Sequence, residues 1–379
     1  MANTSSIAAN RPEIWAKETF RAAMDKLFFK QKNLMGTGEN VIVKEKSELN
    51  KSKGDTIDLS LVGKLSGNGI TGDNELEGNE EAQDSYNEQI VIDQIRNAIR
   101  LTGKLDEQTN GYDMRVEAKA ALSTWIAEFL ERQIFMKLAG VNNLLLTDVY
   151  GTVVGARSCW SNTPDEYPDA DTTANGGGVR YSCADVTGGA TSLASTDIMT
   201  PYLIDRMKAK MAQANPIIQP LMIGGKECYV MFVHPRQAFD LRRNAEFQQA
   251  MREAAIRGPE NPIFTGALGI WNDVVLHEHR YCPYLDLDVA GNNYGDDDGG
   301  TDYAAVDAYR AIICGQNAVG LAMAGGSVNW EEETFDYGNK TGFAVGFIGG
   351  VQKLMFATGT SGASVENGVM VLDTAATAV

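Results

Sequence analysis

The stretch from Thr56 to Leu138 constrains this 379-residue chain most, because two alternating strand patterns flank an acidic, glycine-rich tip and lead into one long amphipathic helix. Thr56-Ile57-Asp58-Leu59-Ser60-Leu61 alternates polar and apolar side chains, and Glu88-Gln89-Ile90-Val91-Ile92-Asp93 does so more loosely. That is the period of a half-buried strand, and the two can pair as one long hairpin. Between them, Ser66 to Glu88 holds Asp73, Glu75, Glu77, Glu80, Glu81, Asp84 and Glu88, with Gly67, Gly69, Gly72 and Gly78 and no Lys or Arg. Such a tip has too few apolar residues to bury itself, so it is solvated, disordered or held by a neighbour.

A helix pattern follows from Asp113 to Ala139, closing at Gly140, a residue suited to the left-handed cap conformation. Leu122, Ile126, Leu130, Ile134 and Leu138 repeat at four-residue spacing, and Trp125 and Phe129 widen the stripe. At about 1.5 Å per residue the helix is roughly 40 Å long, the length of a structural spine.

A formal charge of −17 argues against a nucleic-acid-binding surface, since phosphate neutralisation needs clustered Lys and Arg. It suits a container that encloses DNA without adhering to it. No run of eighteen apolar residues is present, and Met1 to Asn10 lacks the layout of a signal peptide, so folding in the cytoplasm is expected. Cys159, Cys183, Cys228, Cys282 and Cys314 are scattered and include no C-x-x-C pair. Free thiols are expected, with a Cys159–Cys183 disulfide after lysis as the alternative.

The N-terminal arm carries Pro12 at a helix start and Trp15, Phe20, Met24, Leu27 and Phe28 on one stripe. It can dock on its own chain or lie across another subunit. Ser158 to Ala194 reads as a surface insertion of loop or small hairpins, and Leu285 to Asp302 as a second, acidic one. Between and after them, helices are predicted from Thr200-Pro201 to Asn215, from His234-Pro235 to Arg243 and from Ala245 to Ile256. Strands are predicted at Tyr229 to Val233, Asp273 to His279 and Ala304 to Cys314, with a short helix over Gln316 to Met323. This lobe is therefore a mixed sheet covered by helices. Val328 to Tyr337 and Gly342 to Ile348 alternate as strands, and the tail beyond Ala357 is expected to form an edge strand or stay loose.

Catalytic and ligand-binding patterns are weak. His277 and His279 would share one side of a strand, with Cys282 nearby, but a zinc site needs further ligands and a second shell. Strand-end histidines are the better reading. Asp296, Asp297, Asp298 and Asp302 crowd oxygen ligands as calcium requires, without the helix-loop-helix signature, and read as a solvated loop. Glu331, Glu332 and Glu333 read as the polar face of a strand and not as a catalytic pair. Gly67-Asn68-Gly69-Ile70-Thr71-Gly72 has the letters of a dinucleotide fingerprint, but no helix follows to hold a pyrophosphate. With no phosphate-loop or nucleophile-elbow motif, no enzyme and no cofactor are expected.

The order of parts resembles the major capsid proteins of tailed bacteriophages: arm helix, acidic-tipped hairpin, spine helix, mixed lobe, and strands returning to the spine. Arg11-Pro12-Glu13-Ile14-Trp15-Ala16, Gly54-Asp55-Thr56-Ile57, Val233-His234-Pro235 and Phe335-Asp336-Tyr337-Gly338 resemble the podophage N-four-type family. The resemblance implies the α+β Hong Kong 97-like fold. Its arm would be residues 1–50, its extended loop 51–103, its peripheral domain 104–150 and 327–379, and its axial domain 151–326. It implies a homo-oligomer of hexamers and pentamers that closes into an icosahedral head around double-stranded DNA, located in the virion and assembled in the host bacterial cytoplasm. Portal, scaffold and decoration proteins are the partners it suggests, and cross-linking through Lys64 is conceivable by analogy. Trp15, Phe20, Met24, Asp73, Glu75, Glu77, Glu80, Glu81 and Asp84 are the candidate subunit-interface residues. The runner-up readings are an encapsulating nanocompartment shell of the same fold and a carboxylate-dependent hydrolase.

Overall fold

The computed structural model describes residues 12–46, 54, 56–62, 69–72, 74–75, 77, 80, 85–109, 114–140, 181–184, 193–214, 217–253, 268–285, 308–356 and 365–377. Its helices are α1 (Pro12–Lys26), α2 (Phe28–Gln31), α3 (Lys104–Thr109), α4 (Met114–Ala139), α5 (Pro201–Gln213), α6 (Pro235–Arg243) and α7 (Ala245–Glu253). The strands run β1 (Met35–Gly36), β2 (Val43–Lys46), β3 (Thr56–Val62), β4 (Ser85–Val91), β5 (Asp93–Arg100), β6 (Tyr181–Cys183), β7 (Leu221–Ile223), β8 (Lys226–Val233) and β9 (Gly269–Trp271). They continue as β10 (Val274–Glu278), β11 (Tyr284–Leu285), β12 (Ala308–Cys314), β13 (Val319–Phe335), β14 (Lys340–Lys353), β15 (Met355–Phe356), β16 (Val365–Glu366) and β17 (Val369–Ala375).

The spine helix α4 spans 26 residues, about 39 Å, and Gly140 closes it at φ 63° as its sequence position requires. Its apolar stripe serves two different sheets. Toward its middle, Phe129 meets Phe347 of β14, with ring centroids 6.1 Å apart. β14 belongs to a five-stranded sheet ordered β1-β2-β13-β14-β5. Toward its end, Phe135 packs edge-on against Phe232 of β8 at 5.3 Å. β8 lies in the larger sheet, ordered β6-β17-β12-β8-β10-β9, with β11 added to β12 and β7 to β8.

That larger sheet explains the continuous apolar runs in β8, β12 and β17, because helices cover both of its faces. Tyr229, Met231 and Val233 of β8, Ala311 and Ile313 of β12, and Met370 and Leu372 of β17 share a core with α5, α6 and α7. The alternate residues Val230, Phe232, Ile312, Cys314, Val369 and Val371 join the core that contains α4. The period-two rule thus divides each strand between two cores.

One buried ion pair joins α4 to this sheet. Arg310 of β12 donates through Nε and Nη2 to the two carboxylate oxygens of Asp373 on β17, each at 2.7 Å. Its Nη1 donates to the carbonyl of Ala139 at 3.0 Å, occupying one of the orphan acceptors at the end of α4. A second pair, Lys353 with Glu366 at 3.2 Å, is equally buried where β14 meets the β15–β16 ribbon.

Several elements differ from the expectation. Gln316 to Met323 is not a helix: Asn317 turns at φ 50°, and β13 begins at Val319, hydrogen-bonded between β2 and β14. A short apolar run takes the partners that tertiary structure offers, and here two strands flank it. Within the tail, β17 is neither loose nor an edge, since it lies between β12 and β6 with every residue buried. β13 and β14 therefore belong to one sheet and β17 to the other, with β15 and β16 forming a separate ribbon. Part of the first insertion also joins the larger sheet, because β6 pairs parallel with β17. β5, unassigned from the sequence, extends directly from the hairpin strand β4 to become the edge strand beside β14. Cys159, the side chain of Cys183, Lys64, Asp296 to Asp298, Asp302 and Ile256 lie outside the described residues.

Candidate functional site

The hairpin forms as its alternation predicts, with β3 and β4 antiparallel from Thr56 opposite Val91 to Val62 opposite Ser85. Ile57, Leu59 and Ile90 point to its buried side and pack with Ile92, Ala322 and Leu354. The root is seated on β13 at Gly320, where a Cβ would come within 2.5 Å of Ile90 Cδ1 and 2.6 Å of Leu59 Cδ1. A side chain here would have to displace both δ-methyl groups, so a glycine lets the hairpin lie this close to the sheet. Gln352 Nε2 of β14 also donates to Glu88 Oε1 of β4 at 3.2 Å. The root is thus fixed, while Glu75, Glu77 and Glu80 of the acidic tip are exposed. Asp73, Glu81 and Asp84 lie outside the described residues.

The arm helix docks on its own chain. Lys119 of α4 pairs with Glu18 of α1, and Lys26 Nζ donates to Ser123 Oγ and Thr124 Oγ1, each at 2.9 Å. Met24 is buried in the main core and Phe20 is half-buried against it. α1 packs against α4 and β13, and its Met24 is buried within its own subunit. The side chain of Trp15 lies outside the described residues.

The titratable residues hold the architecture together. His277 and His279 face the same side of β10 and its exit, both against Phe28, at centroid separations of 5.7 and 5.0 Å. His279 stacks on Phe135 at 4.2 Å and its Nε2 reaches Glu131 Oε1 at 2.6 Å, which ties β10 to α4. His234 serves as the N-cap of α6: its Nδ1 accepts from the Arg236 N–H, and its own N–H donates to Gln237 Oε1. Burial, with Arg236 adding to it, pushes this imidazole down from 6.5 to about 4. Cys228, Cys282 and Cys314 are free and buried, and desolvation raises the Cys282 thiol well above its ordinary range. Glu332 accepts from Trp330 Nε1 and pairs with Arg115, so it holds β13 to α4, while Glu331 and Glu333 are exposed. No group of three or more His, Cys, Asp or Glu able to hold a metal occurs among the described residues. No helix among them is long and apolar enough to cross a membrane.

The geometry therefore offers anchored, outward-reaching surfaces. The sequence profile of the family described as "Phage capsid protein" matches residues 3–378. The chain belongs to the phage capsid protein family. It is similar to the major capsid protein of Pseudomonas phage KPP25, 28% identical over 361 residues that cover 93% of this chain and 92% of the relative. Among solved structures it is similar to the capsid of Ralstonia phage GP4, with a TM-score of 0.74, 27% identity, and coverage of 100% of this chain and 96% of that one. The Cyanophage Pam1 capsid matches in fold at a TM-score of 0.68 and 22% identity, over 99% of each chain. The fold of this phage capsid protein is the expected Hong Kong 97-like α and β architecture. It is a structural protein and not an enzyme, a major capsid protein forming the icosahedral phage head, located in the virion capsid. Capsid assembly makes homo-oligomerisation part of that function.

Gly320 and the Arg310–Asp373 clamp were not legible in advance. Gly320 could have been noticed as a glycine inside an apolar run, a sign of close backbone approach. Arg310 and Asp373 are 63 residues apart and carry no local signal of their pairing.

Proposed function

We propose that this capsid protein is of the podophage N-four type and assembles as hexamers and pentamers in which each β3–β4 hairpin lies over the adjacent subunit. The supporting observation is the hairpin's construction: a root seated on Gly320 and a tip whose described acids are exposed. A segment without a core of its own gains burial against a neighbour, and rotational symmetry repeats that contact around a ring. In this reading residues 1–50 form the arm, 51–103 the extended loop, and 104–150 with the β13–β14 hairpin the peripheral domain. The axial domain comprises residues 151–318 together with β17. The shell encloses double-stranded DNA, which its charge of −17 keeps from adhering, and portal, scaffold and decoration proteins complete the head.

Negative-stain microscopy with light scattering on the purified chain tests the proposal, alongside a variant with residues 66–84 replaced by a short Gly-Ser linker. Closed shells or uniform hexameric rings from the intact chain, and their loss in the variant, are expected. A monomer at high concentration from the intact chain, or normal rings from the variant, overturns it.

A further inference from the structure

Among the described residues, the face of the five-stranded sheet turned away from α4 is covered over its near half only. There the β3–β4 hairpin roofs it, with Ile90 and Leu59 resting on Gly320 and Glu88 accepting from Gln352. The same face continues along β14 through Gly346, Ala344 and Gly342, which stand opposite Arg96, Ala98 and Arg100 of β5. These three β5 residues are exposed, and both arginines lie flat on the far half. A Cβ at Gly346 would come within 2.7 Å of Arg96 Cγ, and the Arg100 guanidinium covers the Phe335 ring at 4.3 Å. Glu331 and Glu333 share the face but stand on β13, on the far side of Ala344 and Gly342. Two strand spacings, about 9–10 Å, separate the acidic row from the basic one. None of these four side chains makes an ion pair among the described residues.

The hairpin tip has the sign that the basic row lacks. Glu75, Glu77 and Glu80 are exposed, and residues 66–88 contain no Lys or Arg. Within one subunit the strands keep tip and row apart. Glu88 sits at Gln352, and the chain then advances along β14 until Asp93 pairs with Gly349 and Arg100 with Gly342. β3 and β4 therefore direct the tip past one end of the sheet, while Arg96 and Arg100 occupy the other. A giving and a receiving surface at opposite ends of a subunit make a head-to-tail contact, the kind that closes rings. The far half also has the low relief that seats the hairpin at Gly320, because β14 presents Gly342, Ala344 and Gly346 there.

We propose that the acidic tip of one subunit lies along β5 of the next copy, with Glu75, Glu77 and Glu80 against Arg96 and Arg100. The Glu331–Glu333 row repels the tip from β13 and so sets its track. This contact rests on the hairpin overlay proposed above and names the surface that receives it. A full-length chain with p-benzoylphenylalanine at position 98, between the two arginines, is assembled from mixed isotope-labelled and unlabelled subunits and irradiated. Cross-links between copies that map to residues 66–88 are expected. Cross-links to any other segment, or none in assembled shells, overturn the proposal. Charge reversal decides the matter where the photoprobe prevents assembly. Arg96→Glu/Arg100→Glu and Glu75→Lys/Glu77→Lys/Glu80→Lys should each weaken subunit association roughly tenfold at low salt, with unfolding of the unassembled subunit unchanged. The chain carrying all five changes should regain most of that loss. Full association in either partial variant, or no recovery in the combined one, overturns the proposal. Rings that require residues 66–84 yet give no cross-link from position 98 to the tip refute this contact alone, whereas rings that form without those residues refute the overlay itself.

Discussion

Removing one member of the Arg310–Asp373 pair has a consequence whose size follows from burial. Arg310 and Asp373 are 5% and 1% exposed, so Asp373→Ala strands a guanidinium away from water. Breaking a buried pair in this way costs about 3–5 kcal/mol. At about 2.1 cal/mol/K per residue, the unfolding entropy of a 379-residue chain is about 0.8 kcal/mol/K, which makes the shift in Tm about 4–6 °C. The double variant Arg310→Met/Asp373→Leu removes both charges and restores apolar packing, so it should recover most of the loss, to within about 2 kcal/mol of the parent. The residue it does not recover is the Ala139 carbonyl, which loses its donor. Scanning calorimetry on unassembled subunits at one fixed concentration reads both quantities. Amide exchange in the last turn of α4 should rise in the single variant. A fall in Tm below about 2 °C for Asp373→Ala, or a double variant as unstable as the single one, would refute the reasoning.

Gly320→Ala forces Ile90 and Leu59 to move and should cost about 1–3 kcal/mol, with faster amide exchange across β3 and β4; unchanged exchange there would remove Gly320 from its role as the hairpin seat. The His234 imidazole is neutral as a cap and resists protonation down to about pH 4, whereas the unfolded chain takes up the proton near 6.5. Its contribution is therefore complete above pH 6.5 and lost as pH falls toward 4, so His234→Asn should flatten the stability profile in that window; an identical slope in urea titrations counts against the assignment. Glu75→Gln/Glu77→Gln/Glu80→Gln should reduce the salt dependence of shell stability, because exposed charge contacts are screened within a Debye length of about 8 Å. Shells of parent and variant responding identically to salt would show that these three carboxylates make no such contact.

The elements that could be read in advance are those whose side-chain period reports burial directly. The four-residue repeat from Leu122 to Leu138 specifies the face of α4, and alternation at Ile57, Leu59 and Ile90 specifies the buried side of the hairpin. Helix ends were legible for the same local reason: Gly140 closes α4 at φ 63°, and His234-Pro235 opens α6 with His234 as its N-cap. The misread segments lack such a period. Gln316 to Met323 contains small and apolar residues that suit either helix or strand, and pairing with β2 and β14 decides between them. The β17 segment looks unremarkable as a tail until β12 and β6 bury it on both edges. Of the candidate interface, the acidic tip was visible from charge alone, whereas the burial of Met24 required knowing that α1 meets α4.

What the sequence determined by itself was local: a long two-faced helix, an acidic-tipped hairpin, and the absence of any recognised catalytic motif. These are properties of neighbouring residues, set by backbone geometry and by the cost of burying charge. The tertiary structure alone decided which sheets the spine helix joins, that β17 is an interior strand, that a side chain at Gly320 would press on the hairpin, and that Tyr337 is presented away from its own core. Each depends on groups brought together from distant positions, and close packing gives such contacts an energy that short-range periodicity does not encode.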